Sequence, residues 1–161
     1  MRCSAAGWVA NDLRQAEALG VVTAQPTHNH PYAMNAAGTV AGLIYLARTG
    51  ATKEELREYV ESRGYEVPSL GRLKYQYEYT ESSQGTMPAV LSAFFYGNSF
   101  EDCIRKAVSI GGDSDTIAAI TGSIAEAHYG IPDAIRTKAW DYLPEHLRQV
   151  ILDFNSTFVN N

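Results

Sequence analysis

Residues 32–50, YAMNAAGTVAGLIYLARTG, are apolar on nearly every side of a helix, and this run constrains the fold more than any other feature. A helix that is apolar all round is buried rather than half-exposed. Pro31, just before the run, suits the first turn of a helix because its fixed φ is already helical. The sequence therefore predicts a central helix that other elements must cover.

Helical spacing of apolar residues recurs along most of the remaining chain, without alternation of period two over any length. Residues 6–22 predict one helix with Gly20 as a possible end. Thr52 and Glu55 form a capping-box pattern that predicts the start of an amphipathic surface helix. Ser99 is typical of a further helix cap. These signals indicate a chain built from successive helices.

One segment breaks the helical rhythm, at residues 65–85. Tyr75, Tyr77 and Tyr79 alternate there with polar residues, and proline and glycine flank them. This composition predicts a long ordered loop. The chain as a whole is predicted to be an all-α, orthogonally packed multi-helix bundle that forms a single domain over 1–161.

Composition excludes several classes of partner. The chain is 45% hydrophobic and 19% charged, which is typical of a folded protein. Its net charge of −5, without a lysine or arginine cluster, predicts no nucleic-acid partner. No apolar run reaches the roughly 20 residues of a membrane helix, so we expect no membrane partner. Cys3 and Cys103 lack metal-site spacing and are interpreted as small buried hydrophobes of a cytoplasmic protein.

The densest cluster of polar residues lies just before a run of small apolar ones. Gly111 and Gly112 lead into Asp113, with Asp115 and Thr116 close behind. An aspartate cap with acids in the first turn would stabilise any helix. Two carboxylates so close also repel each other unless a cation lies between them. Their hard oxygen ligands suit Mg²⁺, Mn²⁺ or Ca²⁺, so capping and metal binding both remain open.

The histidines give a weaker signal. His28 and His30, in the turn before Pro31, are expected to cap the following helix or to lie half-exposed. A zinc pair is the alternative, but a third nitrogen or sulfur ligand is missing nearby in the sequence. His128 lies late in a helix, where a positive charge is expected to be favourable.

The motifs together resemble a known family. Residues 109–132, SIGGDSDTIAAITGSIAEAHYGIP, look like the C-terminal metal motif of the ADP-ribosylglycohydrolases, which include the dinitrogenase reductase-activating glycohydrolases. Residues 26–48, PTHNHPYAMNAAGTVAGLIYLAR, resemble the family's Thr-His-x-x-Pro-like turn and buried helix. Residues 1–12 and 85–108 are similar to two further segments of its pattern, so the resemblance spans nearly the whole chain.

The resemblance implies a metal-dependent hydrolase with an all-α fold and two Mg²⁺ or Mn²⁺ ions. Asp113, Asp115 and Thr116 would bind the metals, with both aspartates catalytic and Asp115 the expected bridge between the ions. The reaction would cleave the glycosidic bond at C1″ of ADP-ribose attached to a protein or small molecule. The residues that the resemblance assigns to substrate binding are Arg2, His28 and Gly112. Tyr75, Tyr77 and Tyr79 are expected either to stack on adenine or simply to pack their loop.

The sequence also departs from the family pattern. It resembles only the C-terminal portion, without the Gly-Asp-Ala segment, the Thr-Asp-Asp motif and the upstream acid of the N-terminal half. We therefore expect residues 36–47 to expose apolar surface that a companion chain or a second copy covers. Two other hypotheses remain open: a pseudoenzyme that binds ADP-ribose or a related nucleotide without cleaving it, and an interaction module.

Overall fold

The computed structural model describes residues 1–159, and its regular elements in that part of the chain are all helical. This confirms the predicted all-α class; residues 160 and 161 of the predicted domain lie outside the described part. A short π-helix, Asn155–Val159, follows the last α-helix. The α-helices are Ser4–Val9 (α1), Leu13–Ala24 (α2), Pro31–Arg48 (α3), Lys53–Ser62 (α4), Leu70–Gln76 (α5), Ser83–Tyr96 (α6), Phe100–Ile110 (α7), Ser114–Tyr129 (α8), Asp133–Asp141 (α9) and Glu145–Phe154 (α10).

Helix α3 is the centre of the fold, as the sequence predicts. It begins at Pro31 and contacts α1, α2, α4, α6 and α8. Leu43 and Ile44 are fully buried in the main hydrophobic core, together with side chains of α6 and α8 such as Phe94 and Ile124. Burial of one such side chain stabilises the fold by about 1.5–3 kcal/mol.

The expectation that residues 36–47 expose apolar surface is wrong. Ala36, Val40 and Ala47 are at most 6% exposed because they pack into the main core, and α1 and α2 cover the side of α3 at Ala41 and Ile44. Glycines allow this close approach: a Cβ atom at Gly20 would lie 2.6 Å from the carbonyl oxygen of Ala37. Gly20 therefore lies inside α2, where it permits helix packing, and does not end the helix.

The single helix predicted over residues 6–22 is two helices, α1 and α2. The Asp12 side chain caps α2 by accepting a hydrogen bond of 2.7 Å from the backbone N–H of Gln15. Arg48 of α3 donates to the carbonyl oxygens of Gly7 and Ala10, at 2.8 and 2.5 Å. Because a side chain from another helix satisfies these carbonyls, α1 can end in a buried position.

The predicted caps at Thr52 and Ser99 are confirmed. The backbone N–H of Thr52 donates to Glu55 at 2.8 Å, and the N–H of Glu55 donates back to the Thr52 hydroxyl. The Ser99 hydroxyl accepts from the N–H of Asp102 at 3.2 Å. The prediction of a continuous loop over residues 65–85 is wrong in part, because Ser69 caps the short helix α5.

Both cysteines are buried, as predicted, and burial raises the pKa of the Cys103 thiol to about 11. Desolvation also raises the pKa of the Cys3 thiol. Thiols that stay protonated at neutral pH are unreactive, which fits a packing role. Within the part of the chain that the structure describes, none of the helices is long and apolar enough to span a bilayer.

Lys53, the first residue of α4, closes the C-terminal end of α6. Its ammonium group donates to the carbonyl oxygens of Phe94 and Phe95, each at 3.2 Å, and to that of Gly97. It also lies 5.3 Å from the ring centres of both Phe94 and Tyr129. Desolvation lowers the pKa of this lysine, so burial opposes the charge that the carbonyls and rings stabilise.

We expect the Lys53→Met substitution to lower the free energy of unfolding by about 2 kcal/mol, because the α6 carbonyls lose a charged donor. Chemical denaturation measures the difference. Lys138→Met on the exposed face of α9 is the matched control, with an expected change within about 0.5 kcal/mol. Equal stability of the two variants would contradict this role for Lys53.

Candidate active site

The loop between α7 and α8 carries the acidic motif. Gly111 and Gly112 have φ angles of +85° and +64°, which glycine adopts without strain, and they turn the chain into α8. Asp113 occupies the predicted N-cap position, but its side chain accepts no hydrogen bond from the N–H groups of its own helix. Capping therefore does not use this carboxylate, which remains available for another partner.

The side chains of Asp113 and Asp115 interact at the start of α8. That contact is the first cause holding the pKa of Asp115 below its usual value, followed by the backbone N–H groups of Thr116 and of Asp115 itself. Two ionised carboxylates this close repel, and a shared proton or a bound cation relieves the repulsion. This interaction agrees with the convergence of the two acids that their spacing predicts.

A cavity of about 340 Å³ opens beside this loop, and both polar and apolar side chains line it. Its volume lies within the range of small-molecule sites. It brings together three distant parts of the sequence, represented by Arg2, by His28, and by Asp113 with Thr116. Asp115 and Gly112, the other two residues predicted for the site, do not line it. The lining residues are Met1, Arg2, Cys3, Thr23, Ala24, His28, Ala33, Ala36, Ala37, Val40, Glu81, Ser83, Thr86, Met87, Asp113, Thr116 and Ile120.

The basic side of the cavity is tied together by hydrogen bonds through Thr27. The Arg2 guanidinium donates to the Thr27 hydroxyl, and the same oxygen lies 2.7 Å from Nδ1 of His28. His30 instead caps α3, where its Nδ1 accepts from the N–H of Tyr32 at 3.3 Å. The two histidines thus have different partners, and the predicted capping role is confirmed for His30.

Sequence reasoning missed the wall that the start of α6 contributes. Glu81, just before α6, and Ser83 and Thr86, in its first turn, line the cavity, but this polar stretch of sequence has no recognisable motif. Tyr77 packs its ring against Gly112 from the same segment. Its hydroxyl is buried near the Thr86 side chain without a well-formed hydrogen bond among the described residues. Packing, rather than exposure to a ligand, accounts for this tyrosine.

The prediction that a positive charge on His128 is favourable is wrong. Its ring packs edge-on against Phe94 and Tyr129, with ring centres 5.7 and 4.7 Å away. Burial, followed by the nearby charge of Lys53, lowers the pKa of His128. Desolvation therefore outweighs the favourable helix end, and a positive charge is unfavourable there.

Comparison with known proteins defines the class. A family model described as ADP-ribosylglycohydrolase matches residues 1–160, and the chain therefore belongs to the ADP-ribosylglycohydrolase family. This confirms the resemblance read from the sequence motifs.

Two curated relatives and one solved structure are similar to the chain. It is 31% identical to the ADP-ribosylarginine hydrolase Tri1 of Pseudomonas putida (strain GB-1), covering 83% of this chain and 39% of that protein. It is 29% identical to the ADP-ribosyl-[dinitrogen reductase] glycohydrolase of Rhodospirillum rubrum, covering 68% of this chain and 37% of that protein. A solved structure titled "ADP-ribosylglycohydrolase-related protein complex" matches with a TM-score of 0.57 and 32% identity, over 80% of this chain and 48% of that one. The chain thus spans less than half of each of these three proteins.

Proposed function

We propose that this chain supplies the substrate-binding and part of the metal-binding surface of a hydrolase that removes ADP-ribose by cleaving the glycosidic bond at C1″. The observation that carries the proposal is the cavity in which Arg2 and His28 meet Asp113 and Thr116. Cationic and hydrogen-bond-donating groups suit a diphosphate, and carboxylates suit a metal ion or ribose hydroxyls. The names of the relatives support ADP-ribose as the group removed.

The residues of the site offer the type of ligand that Mg²⁺ or Mn²⁺ prefers, but too few of them for complete coordination. Asp113, Asp115 and Thr116 offer the hard oxygen ligands that these ions prefer, and the Asp113 side chain makes no capping hydrogen bond to its helix. In residues 1–159, however, acidic, histidine and cysteine side chains do not gather in groups of three that could hold a metal. We propose that these three residues form one side of a site for two ions. When bound, such ions orient ribose hydroxyls and activate water.

Other residues of the chain position the substrate in this proposal. Arg2 and His28 bind the diphosphate at one end of the cavity, while Asp113 and Thr116 face the ribose whose bond is cleaved. The apolar wall includes Val40 and Met87, which are at most 3% exposed and keep water from that side of the ligand. Binding at both ends fixes the orientation of the scissile bond.

Activity in this proposal requires a complementing portion that supplies further metal ligands. The incomplete set of acidic ligands supports this requirement, since hard divalent cations take about six oxygen ligands each. The relatives support it as well, because the chain matches only 39% and 37% of their lengths.

The test follows release of ADP-ribose from ADP-ribosylarginine. The chain is assayed alone and after co-expression with the part of the Rhodospirillum rubrum glycohydrolase that it does not match. We expect release with the companion portion and Mg²⁺ or Mn²⁺, and loss of release in excess EDTA. Release that persists in EDTA would contradict metal dependence, and release by the chain alone would contradict the need for a companion.

A second candidate function, binding of ADP-ribose without cleavage, follows from the same cavity and the incomplete acidic set. Calorimetric titration with ADP-ribose distinguishes the two. Binding without release in any of the assays above would favour the binding role. Absence of both binding and release would contradict both functions.

A further inference from the structure

We infer that Thr27 is a positioning residue that fixes the tautomer of His28, so that this histidine presents a protonated Nε2 as a hydrogen-bond donor to the cavity. Thr27 does not line the cavity, whereas the two side chains that it joins, Arg2 and His28, both do. The identity of the ligand that accepts a hydrogen bond from Nε2 rests on the proposed function. The tautomer itself does not.

The turn that carries Thr27 is fixed by the backbone. The N–H groups of Thr27 and His28 both donate to the carbonyl oxygen of Ala24, at 3.1 and 2.9 Å, at the end of α2. The hydroxyl of Thr27 is therefore held between the N-terminal segment and the His28 ring. Position alone makes it the link between the two groups.

The available donors and acceptors then determine which atom donates in each of the two hydrogen bonds. A guanidinium has donors and no acceptor, so Thr27 Oγ1 must accept in its bond with Arg2. The hydroxyl has one proton, and Nδ1 of His28 lies 2.7 Å away. Donation of that proton to Nδ1 leaves both bonds complete and aligned in one direction, from Arg2 through Thr27 to His28. Such chains polarise one another and strengthen.

Electrostatics favours the same tautomer. A proton on Nδ1 would point the positive end of the N–H dipole towards the hydroxyl that already binds the Arg2 cation. A lone pair on Nδ1 faces that cation favourably instead. A neutral imidazole that accepts at Nδ1 has its proton on Nε2. The free edge of His28 is therefore a donor, suited to an oxygen of an anionic ligand such as a diphosphate.

The test compares Thr27→Val, which removes the hydroxyl at nearly constant volume, with Thr27→Ser, which keeps it. Imidazole ¹⁵N spectra are recorded at about pH 8, where an unperturbed histidine is neutral. The chain has four histidines, and His28→Gln assigns the signal by its disappearance. Thr49→Val is the matched control, because the Thr49 hydroxyl bonds carbonyls of its own helix, remote in sequence from the turn.

We expect an unprotonated Nδ1 and a protonated Nε2 for His28 in the unmodified chain, in Thr27→Ser and in Thr49→Val. In Thr27→Val we expect a mixture of the two tautomers. Protonated Nδ1 in the unmodified chain, or a His28 spectrum unchanged by Thr27→Val, would overturn the inference. A merely structural role for Thr27 would not move this signature, and rescue by serine excludes a general packing defect.

Binding of ADP-ribose is measured on the same proteins. We expect Thr27→Val to raise the dissociation constant about tenfold, because it lowers the fraction of the donor tautomer and also removes the acceptor that holds Arg2. We expect Thr27→Ser to stay within about twofold. Equal affinity of the valine variant would overturn the link to the ligand. Failure of the unmodified chain to bind ADP-ribose would contradict the proposed function, while the spectra still decide the tautomer.

Discussion

Replacement of Asp115 by asparagine is expected to weaken binding of Mn²⁺ by at least about 100-fold. Asparagine keeps the size of the side chain but removes the negative charge that attracts the cation. That charge repels Asp113, and a bound cation relieves the repulsion. Changes in residues that merely orient metal ligands already cost 10–100-fold in affinity, so loss of a direct ligand should cost more. In the complemented enzyme, we expect release of ADP-ribose to fall by at least the same factor.

Asp133→Asn is the matched control, because Asp133 is also an exposed acid in the first turn of a helix. Manganese binding is measured by calorimetry on the chain alone and with the companion portion, and thermal unfolding verifies that both variants fold. The control should bind manganese as the unmodified protein does. If Asp115→Asn also retained its affinity, the acidic pair would have only a structural role and the metal proposal would fail.

Local signals in the sequence predicted the elements whose cause is local. Pro31 begins α3, Thr52 and Ser99 cap their helices, and Asp113 occupies the N-cap of α8. Thr52 and Ser99 bond residues three positions later, and Pro31 acts through its own fixed φ, so each of these signals is local. Burial of α3 was predictable as well, since its apolar surface extends all round the helix.

Features decided by tertiary contacts could not be predicted in the same way. The break between α1 and α2 depends on Arg48, which reaches back from α3 to the carbonyl oxygens that α1 leaves free. Gly20 resembles a helix end in sequence, yet its role is to let α3 approach α2. Covering of α3 by the preceding helices is a consequence of the same packing.

The residues of the candidate site also differ in whether a local signal or a tertiary contact brings them together. Spacing alone indicated that Asp113 and Asp115 converge, because both lie in one turn. Arg2 and His28 entered the prediction through the family resemblance, since residues so far apart carry no mutual signal. The role of Thr27 could not be predicted, because its hydrogen bond to Arg2 forms only when the N-terminal segment packs against the turn before α3.

The contact between Tyr77 and Gly112 could not be predicted from the sequence for a related reason, and it leads to the second large effect. A Cβ atom at Gly112 would lie 2.6 Å from the Tyr77 ring, which is too close for two non-bonded carbon atoms. Gly112 also has a φ of +64°, which costs a non-glycine residue about 1 kcal/mol. We expect Gly112→Ala to lower the free energy of unfolding by about 2–3 kcal/mol in total and to displace Asp113 from the cavity.

The two contributions can be separated by experiment. Gly64→Ala carries a similar positive φ of +85° with no atom within 4 Å of the added Cβ, so it should show only the backbone cost. In the Tyr77→Ala background, Gly112→Ala should lose the steric part, and a double-mutant cycle measured by denaturation gives that coupling. We expect manganese affinity to fall in Gly112→Ala and to recover in part in the double variant. An equal cost for Gly112→Ala and Gly64→Ala, with no coupling to Tyr77, would mean that the ring does not hold the loop and that Asp113 is positioned by the backbone alone.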